Sequence, residues 1–221
     1  MGLVATALTN TGQTVVLGLG AVNVARYETL HIQALITRFV RNVSSVLAHV
    51  PSVRKITAVP IVECNNNDII ALSIVNAFKQ ACTAVRKFVA SNPFTEENFA
   101  KNITPGVGVW TTQANKLAGV LGLQEKLMDG SIVLSKQLAS VTREAVASAR
   151  ASALWGSQVS ASAKAEEAVK TLAEQLGRIR DDPKKKGHIS GKTLHGDNDD
   201  LAIALIIADH WSKTLRMLSI T

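Results

Sequence analysis

Apolar residues near the start of the chain fall into two β-type runs, Leu3–Leu8 and Thr14–Leu19. The turn cluster Thr9-Asn10-Thr11-Gly12-Gln13 between them predicts a hairpin. From about Glu28 to Ala48 the period becomes helical. Leu35, Ile36, Phe39, Val43, Val46 and Leu47 recur at three- and four-residue steps and mark one inward face. Ile56–Val62 is a β-branched run ending in Glu63; Pro60 within it lacks a ladder donor and predicts a bulge or a strand end. Asn65-Asn66-Asn67-Asp68 reads as a loop with a helix N-cap. The helix it starts is expected over about 69–89, with Ile70, Ile74, Ala77, Phe78, Ala81 and Val85 inward.

A polar connector, 92–108, carries Pro93 and Pro105. The helix predicted over 112–128 stops at Asp129-Gly130. Ile132–Leu134 predicts one short strand. From Lys136 to Ile179 the Ala/Ser/Glu-rich composition predicts helix, broken near Trp155-Gly156-Ser157. Arg178–Lys192 is a charged loop, and the last helix is expected over about 199–218. Its first turns, Leu201–Ala208, are apolar on every side, as in a buried helix. Strands early and alternating helices later predict an α/β domain, and 221 residues suit a single one.

Composition narrows the function. Hydrophobic residues at 47% against 19% charged exclude overall disorder. Aromatic residues at 4% argue against base stacking on aromatic platforms. The net charge of +7 favours an anionic partner, nucleic acid ahead of membrane. Cys64 and Cys82, without a second pair, indicate neither a zinc site nor a disulfide framework, and a reducing compartment follows. The start of the chain lacks the basic region of a signal peptide, and its longest clean apolar run is far short of a membrane span.

Gly187-His188-Ile189-Ser190-Gly191-Lys192-Thr193 imitates a phosphate-binding loop. It has three residues between its glycines where four are needed, and a lysine run precedes it instead of a strand. No nucleotide site is expected there. Acids are the more informative feature. Glu63 ends an apolar run, and Asp199 and Asp200 open an apolar helix. Carboxylates at such ends can hold hard divalent ions, as a two-metal phosphodiester site requires. Each also has a plainer use: Glu63 as a solvated strand end, Asp199 as an N-cap. Lys184, Lys185, Lys186 and Lys192 could neutralise phosphates, or form a solvated loop. His195 and His210 have no partner at ligand spacing.

Four stretches occur in order: Val62-Glu63-Cys64-Asn65, Leu172-Ala173-Glu174-Gln175-Leu176, Ser190-Gly191-Lys192, and Asn198-Asp199-Asp200-Leu201 with small apolar residues after it. With Asp129–Leu138, they make the chain resemble the C-terminal nuclease domain of the herpesvirus DNA-packaging terminase large subunit. The resemblance implies an RNase H-like α/β fold, a mixed sheet flanked by helices. It implies a metal-dependent endonuclease that binds two Mg²⁺ or Mn²⁺ ions and cuts concatemeric viral DNA during genome packaging. Glu63, Asp199 and Asp200 match catalytic metal ligands. Double-stranded viral DNA, the other terminase subunits and the capsid portal are the implied partners, and the host nucleus the implied location.

Cys64 stands where the family pattern has glycine. The family's first ligand, an aspartate on its first strand, has no counterpart, because no acid precedes Glu28. The chain is therefore expected to be a single nuclease domain, 1–221, incomplete at its N-terminus, without the ATPase domain and inactive alone. Two rival expectations are a non-catalytic fragment that docks partner subunits and a helical DNA-binding module whose acids only cap helices.

Overall fold

The computed structural model describes residues 1–21, 29–49, 60–63, 68–81, 109, 111–141, 161–181, 189–190 and 199–218. The chain divides into two compact units, Met1–Asn23 with Gln113–Thr221, and Val24–Thr112.

The first unit is built on a three-stranded mixed sheet in the order β1-β2-β3. Strand β1 (Gly2–Leu8) pairs antiparallel with β2 (Thr14–Ala21), which pairs parallel with β3 (Ile132–Val141). The expected hairpin forms. Its turn closes by Thr9 N–H donating to the Gln13 carbonyl at 2.9 Å and Gly12 N–H to the Thr9 carbonyl at 3.1 Å. Gly12 sits at φ 88°, where a side chain would be strained. The apolar run of β2 makes it the central strand: Val16, Leu17 and Leu19 are all buried.

Three helices complete this unit: α3 (Gln113–Met128), α4 (Ala161–Arg178) and α5 (Asp200–Leu218). Helix α5 packs on β1 and β2, α3 packs on α5, and α4 packs on β2, β3 and α5. Leu201, Ala202, Ile203, Leu205, Ile206 and Ile207 are all buried, as the all-round apolar start of this helix predicts. Two glycines allow close approach. A Cβ on Gly2 would lie 2.2 Å from the Asp200 carbonyl oxygen, and one on Gly119 would lie 2.5 Å from Ile206 Cγ2. Two short strands, β4 (Arg180–Asp181) and β5 (Ile189–Ser190), pair antiparallel.

The region after Ile132 differs from expectation. Strand β3 runs ten residues, so Lys136–Val141 is strand rather than the start of a helix. Helix begins again at Ala161, and the expected break at Trp155–Ser157 lies outside the described residues. The physical reason is tertiary. Strand β2 offers a buried backbone edge, and pairing with it outweighs the helix preference of Lys136, Gln137, Leu138 and Ala139. The register slips between Val16 and Gly18, whose partners are Leu134 and Ala139, so β3 carries extra residues at an irregularity there.

The second unit contains α1 (Thr29–Ala48) and α2 (Asp68–Ala81), packed on each other. Ile32, Leu35, Ile36 and Phe39 are buried; Val43, Val46 and Leu47 are only half-buried. Ile32, Ile36 and Ala77 form one cluster, and Val62, Ala71 and Val75 another. Ile74 and Phe78 pack against both, so the inward face of α2 is centred on Ala71, Val75 and Ala77. Of the expected strand over Ile56–Val62, only its end is described. There Glu63 forms a single parallel bridge with Val109, and Val109 N–H donates to the Val62 carbonyl at 2.6 Å. Residues 82–89 of the expected α2 lie outside the described residues.

Candidate functional site

The start of α5 is a buried helix end carrying two adjacent carboxylates. The Asp199 carbonyl accepts the Ile203 N–H at 2.9 Å, so Asp199 occupies the N-cap position of the backbone. Its residue is 7% exposed, an unusual burial for an acid. Asp200 begins the helix, and its Oδ2 accepts from the Met1 amino group at 2.8 Å. The Asp200 side chain is 41% exposed. Both residues lie at the N-terminal start of the helix.

A third side chain reaches this helix start from α4. Gln175 is buried, and its Oε1 accepts from Leu201 N–H at 2.9 Å and from Ala202 N–H at 3.0 Å. The sequence places Gln175 inside a family-like stretch, but neither spacing nor residue type announces its capping role.

Glu63 belongs to the second unit. It is exposed, and its Oε1 accepts a short hydrogen bond from the Thr111 hydroxyl, which fixes one carboxylate oxygen. Thr111 itself is buried beside the bridge at Val109.

Sequence reading also missed a buried polar network. Lys126 Nζ lies 2.5 Å from Asp209 Oδ1 and 2.8 Å from Thr14 Oγ1, and the Thr14 hydroxyl donates to Asp209 Oδ1 at 2.9 Å. All three residues are buried. One signal was available: Asp209 interrupts the apolar run of α5, and a buried acid needs a partner. His210 is half-buried, its ring 4.4 Å from that of Trp211.

Lys184, Lys185, Lys186, Lys192, His195, Cys64 and Cys82 lie outside the described residues. The lysine run falls in sequence between β4 and β5. That strand pair is anchored to α3 by Ile189 N–H, which donates to Gln113 Oε1 at 3.2 Å. No described helix is long and apolar enough to cross a membrane. Among the described residues no group of three or more His, Cys, Asp and Glu gathers as a complete metal cage. The donor chemistry of Asp199 and Asp200 nevertheless suits a hard divalent ion, which takes carboxylate oxygens.

This arrangement defines a mixed α/β domain with an acidic helix start. The fold is that of the human cytomegalovirus terminase nuclease domain. Its manganese-soaked structure aligns at a TM-score of 0.58 and 17% identity, covering 94% of this chain and 75% of that one. The manganese-soaked, inhibitor-bound structure aligns at 0.55 and 16% identity, covering 95% and 74%. No protein-family model matches the chain, and no curated protein matches it in sequence.

Proposed function

We propose that the chain is a metal-dependent DNA endonuclease domain with an RNase H-like fold, acting within a viral genome-packaging terminase. The observation that supports this most is the likeness to the cytomegalovirus nuclease domain over nearly the whole chain, with Asp199 and Asp200 at a buried helix start. Asp199 and Asp200 would hold Mg²⁺ or Mn²⁺, two such ions being what the family resemblance implies, and the same resemblance gives Glu63 the role of a metal ligand. The manganese in both neighbour structures supports a divalent ion. Bound there, the ions would polarise a phosphodiester and lower the pKa of a water.

The chain's own residues prepare the site. The buried start of α5 fixes the backbone that carries the two aspartates, with Gln175 Oε1 accepting from Leu201 N–H and Ala202 N–H. The Thr111 hydroxyl orients Glu63. Lys184, Lys185, Lys186 and Lys192 would neutralise backbone phosphates of the double-stranded substrate. In this reading the substrate is concatemeric viral DNA in the host nucleus, and the partners are the other terminase subunits and the capsid portal.

The test is cleavage of supercoiled plasmid by the full-length encoded protein over a range of Mn²⁺ concentrations. Wild type is expected to nick and linearise DNA only with the ion. Asp199→Ala and Glu63→Ala should each lose at least ~100-fold in rate, the scale of a removed transition-state electrostatic contact. Cleavage that survives both substitutions, or an inactive wild type, rejects the reading.

A further inference from the structure

We propose that Gly2 is a positioning residue of the Asp199–Asp200 site: the bare backbone of β1 at this residue fixes where the start of α5 lies, and a side chain there would displace it. The inference rests on the nuclease reading for its functional half and on geometry alone for its structural half.

Backbone conformation does not explain a glycine here. Gly2 opens β1 and pairs with Ala21 of β2, and strand preference alone would favour a residue with a side chain. Space explains it. A Cβ on Gly2 would overlap the Asp200 carbonyl oxygen and lie 2.5 Å from the Asp200 carbonyl carbon and 2.8 Å from Leu201 Cα. All three are backbone atoms, which cannot swing aside as the end of a side chain can. Carbon atoms pack best from ~3.5 Å outward, so the two backbones would have to part by about 1 Å.

Neither backbone gives way freely. Leu3, next along β1, is buried, and β1 is paired along its length with β2. Leu201 and Ala202 are fully buried, and Gln175 Oε1 accepts from their N–H groups at 2.9 and 3.0 Å. A displacement of about 1 Å at Asp200 carries Asp199 with it, because the two are consecutive residues at one helix start. A metal site needs its ligands placed within about 0.5 Å. Gly119 supplies the contrast against the same helix. A Cβ there would lie 2.5 Å from Ile206 Cγ2, the end of a side chain further along α5. Alanine at 119 crowds the middle of α5 without pushing on its first turn.

Two measurements on the full chain test this, the first without metal or activity. In amide NMR spectra, Gly2→Ala should move the resonances of Asp200, Leu201 and Ala202, whereas Gly119→Ala should move those around Ile206 and His210. Changes in Gly2→Ala confined to β1 and β2 would mean that the strand end yields and the helix does not, which overturns the positioning role. The second measurement is Mn²⁺ binding by calorimetry. Gly2→Ala should raise the half-saturating Mn²⁺ concentration ~10-fold, the scale of lost support behind a metal ligand. Gly119→Ala should leave it within ~2-fold, since its clash lies away from the site. Equal effects of the two substitutions, or an unchanged Mn²⁺ dependence in a folded Gly2→Ala chain, overturn the functional half while leaving the nuclease reading intact. Wild type that binds no Mn²⁺ overturns the nuclease reading and the functional half together, and the NMR comparison still decides the structural half. Should Gly2→Ala not fold, nuclear Overhauser effects in the wild type decide: contacts between the Gly2 and Leu201 α protons support the close approach, and their absence overturns it.

Discussion

Asp209 and Lys126 show what a buried charge requires. The pair is nearly removed from water, with side chains 1% and 10% exposed, and the Thr14 hydroxyl bridges both partners. Breaking such a pair leaves one charge buried alone, which typically costs about 3–5 kcal/mol. Asp209→Leu or Lys126→Met is expected to lower stability on that scale in urea unfolding. The double substitution should recover much of the loss, because two apolar side chains of similar size need no desolvation. A double variant as unstable as either single one would show that the network is worth more than its charges. Asp129 is the counterpart at the surface. The Ser131 hydroxyl first, and the Ser131 N–H next, hold its carboxyl below the ordinary value of 3.8. A depressed acid contributes stability that is complete above its unfolded pKa, about 4, and is lost as pH falls through the lowered folded value. Ser131→Ala should therefore raise the Asp129 titration midpoint, read by NMR of its carboxyl carbon. An unchanged midpoint would reject the hydroxyl as the main cause.

Two glycines test the elements. Helix α3 ends at Met128, and beyond it Gly130 takes φ 72° while Ser131 N–H returns to the Lys126 carbonyl at 2.9 Å. Nothing lies within 4 Å of a Cβ built there. Gly130→Ala should thus cost only the left-handed backbone strain, about 1–2 kcal/mol. Gly119 presents the opposite case. Its helical backbone is unstrained, but an added Cβ meets Ile206 Cγ2 at 2.5 Å where α3 packs on α5. Gly119→Ala should cost about 1–3 kcal/mol by overpacking, and Ile206→Ala should recover part of it. Thermal unfolding of the three single variants and of the two double variants that combine Ile206→Ala with each glycine substitution separates the two mechanisms: rescue of Gly119→Ala is expected, rescue of Gly130→Ala is not. Strand β3 shows the limit of local pattern. Lys136–Val141 leans towards helix by local preference, and the edge of β2 overrides it.

For the whole molecule, the charge of +7 predicts salt-dependent attraction to nucleic acid. Replacing Lys184, Lys185 and Lys186 together by alanine should weaken duplex binding and lower the log–log salt slope by ~0.9 for each phosphate no longer neutralised. Filter binding at several salt concentrations measures it, and an unchanged slope would remove these lysines from the interface. By itself the sequence determined whatever depends on neighbours within a turn or two. It marked the β1–β2 hairpin, the face of α1, the stop of α3 before Gly130 and the buried start of α5, because periodicity and turn chemistry act locally. It also singled out Asp199 and Asp200, since two acids before an apolar helix are conspicuous. Only the tertiary structure decided that Gln175 caps that helix, that β3 continues through Val141, and that Lys126 meets Asp209 and Thr14. Those interactions join atoms 26, 83 and 112 residues apart, as for Gln175 with Leu201, Lys126 with Asp209 and Lys126 with Thr14. Their energies come from burial and from the need to satisfy buried polar groups, conditions that arise only once the sheet and helices have packed.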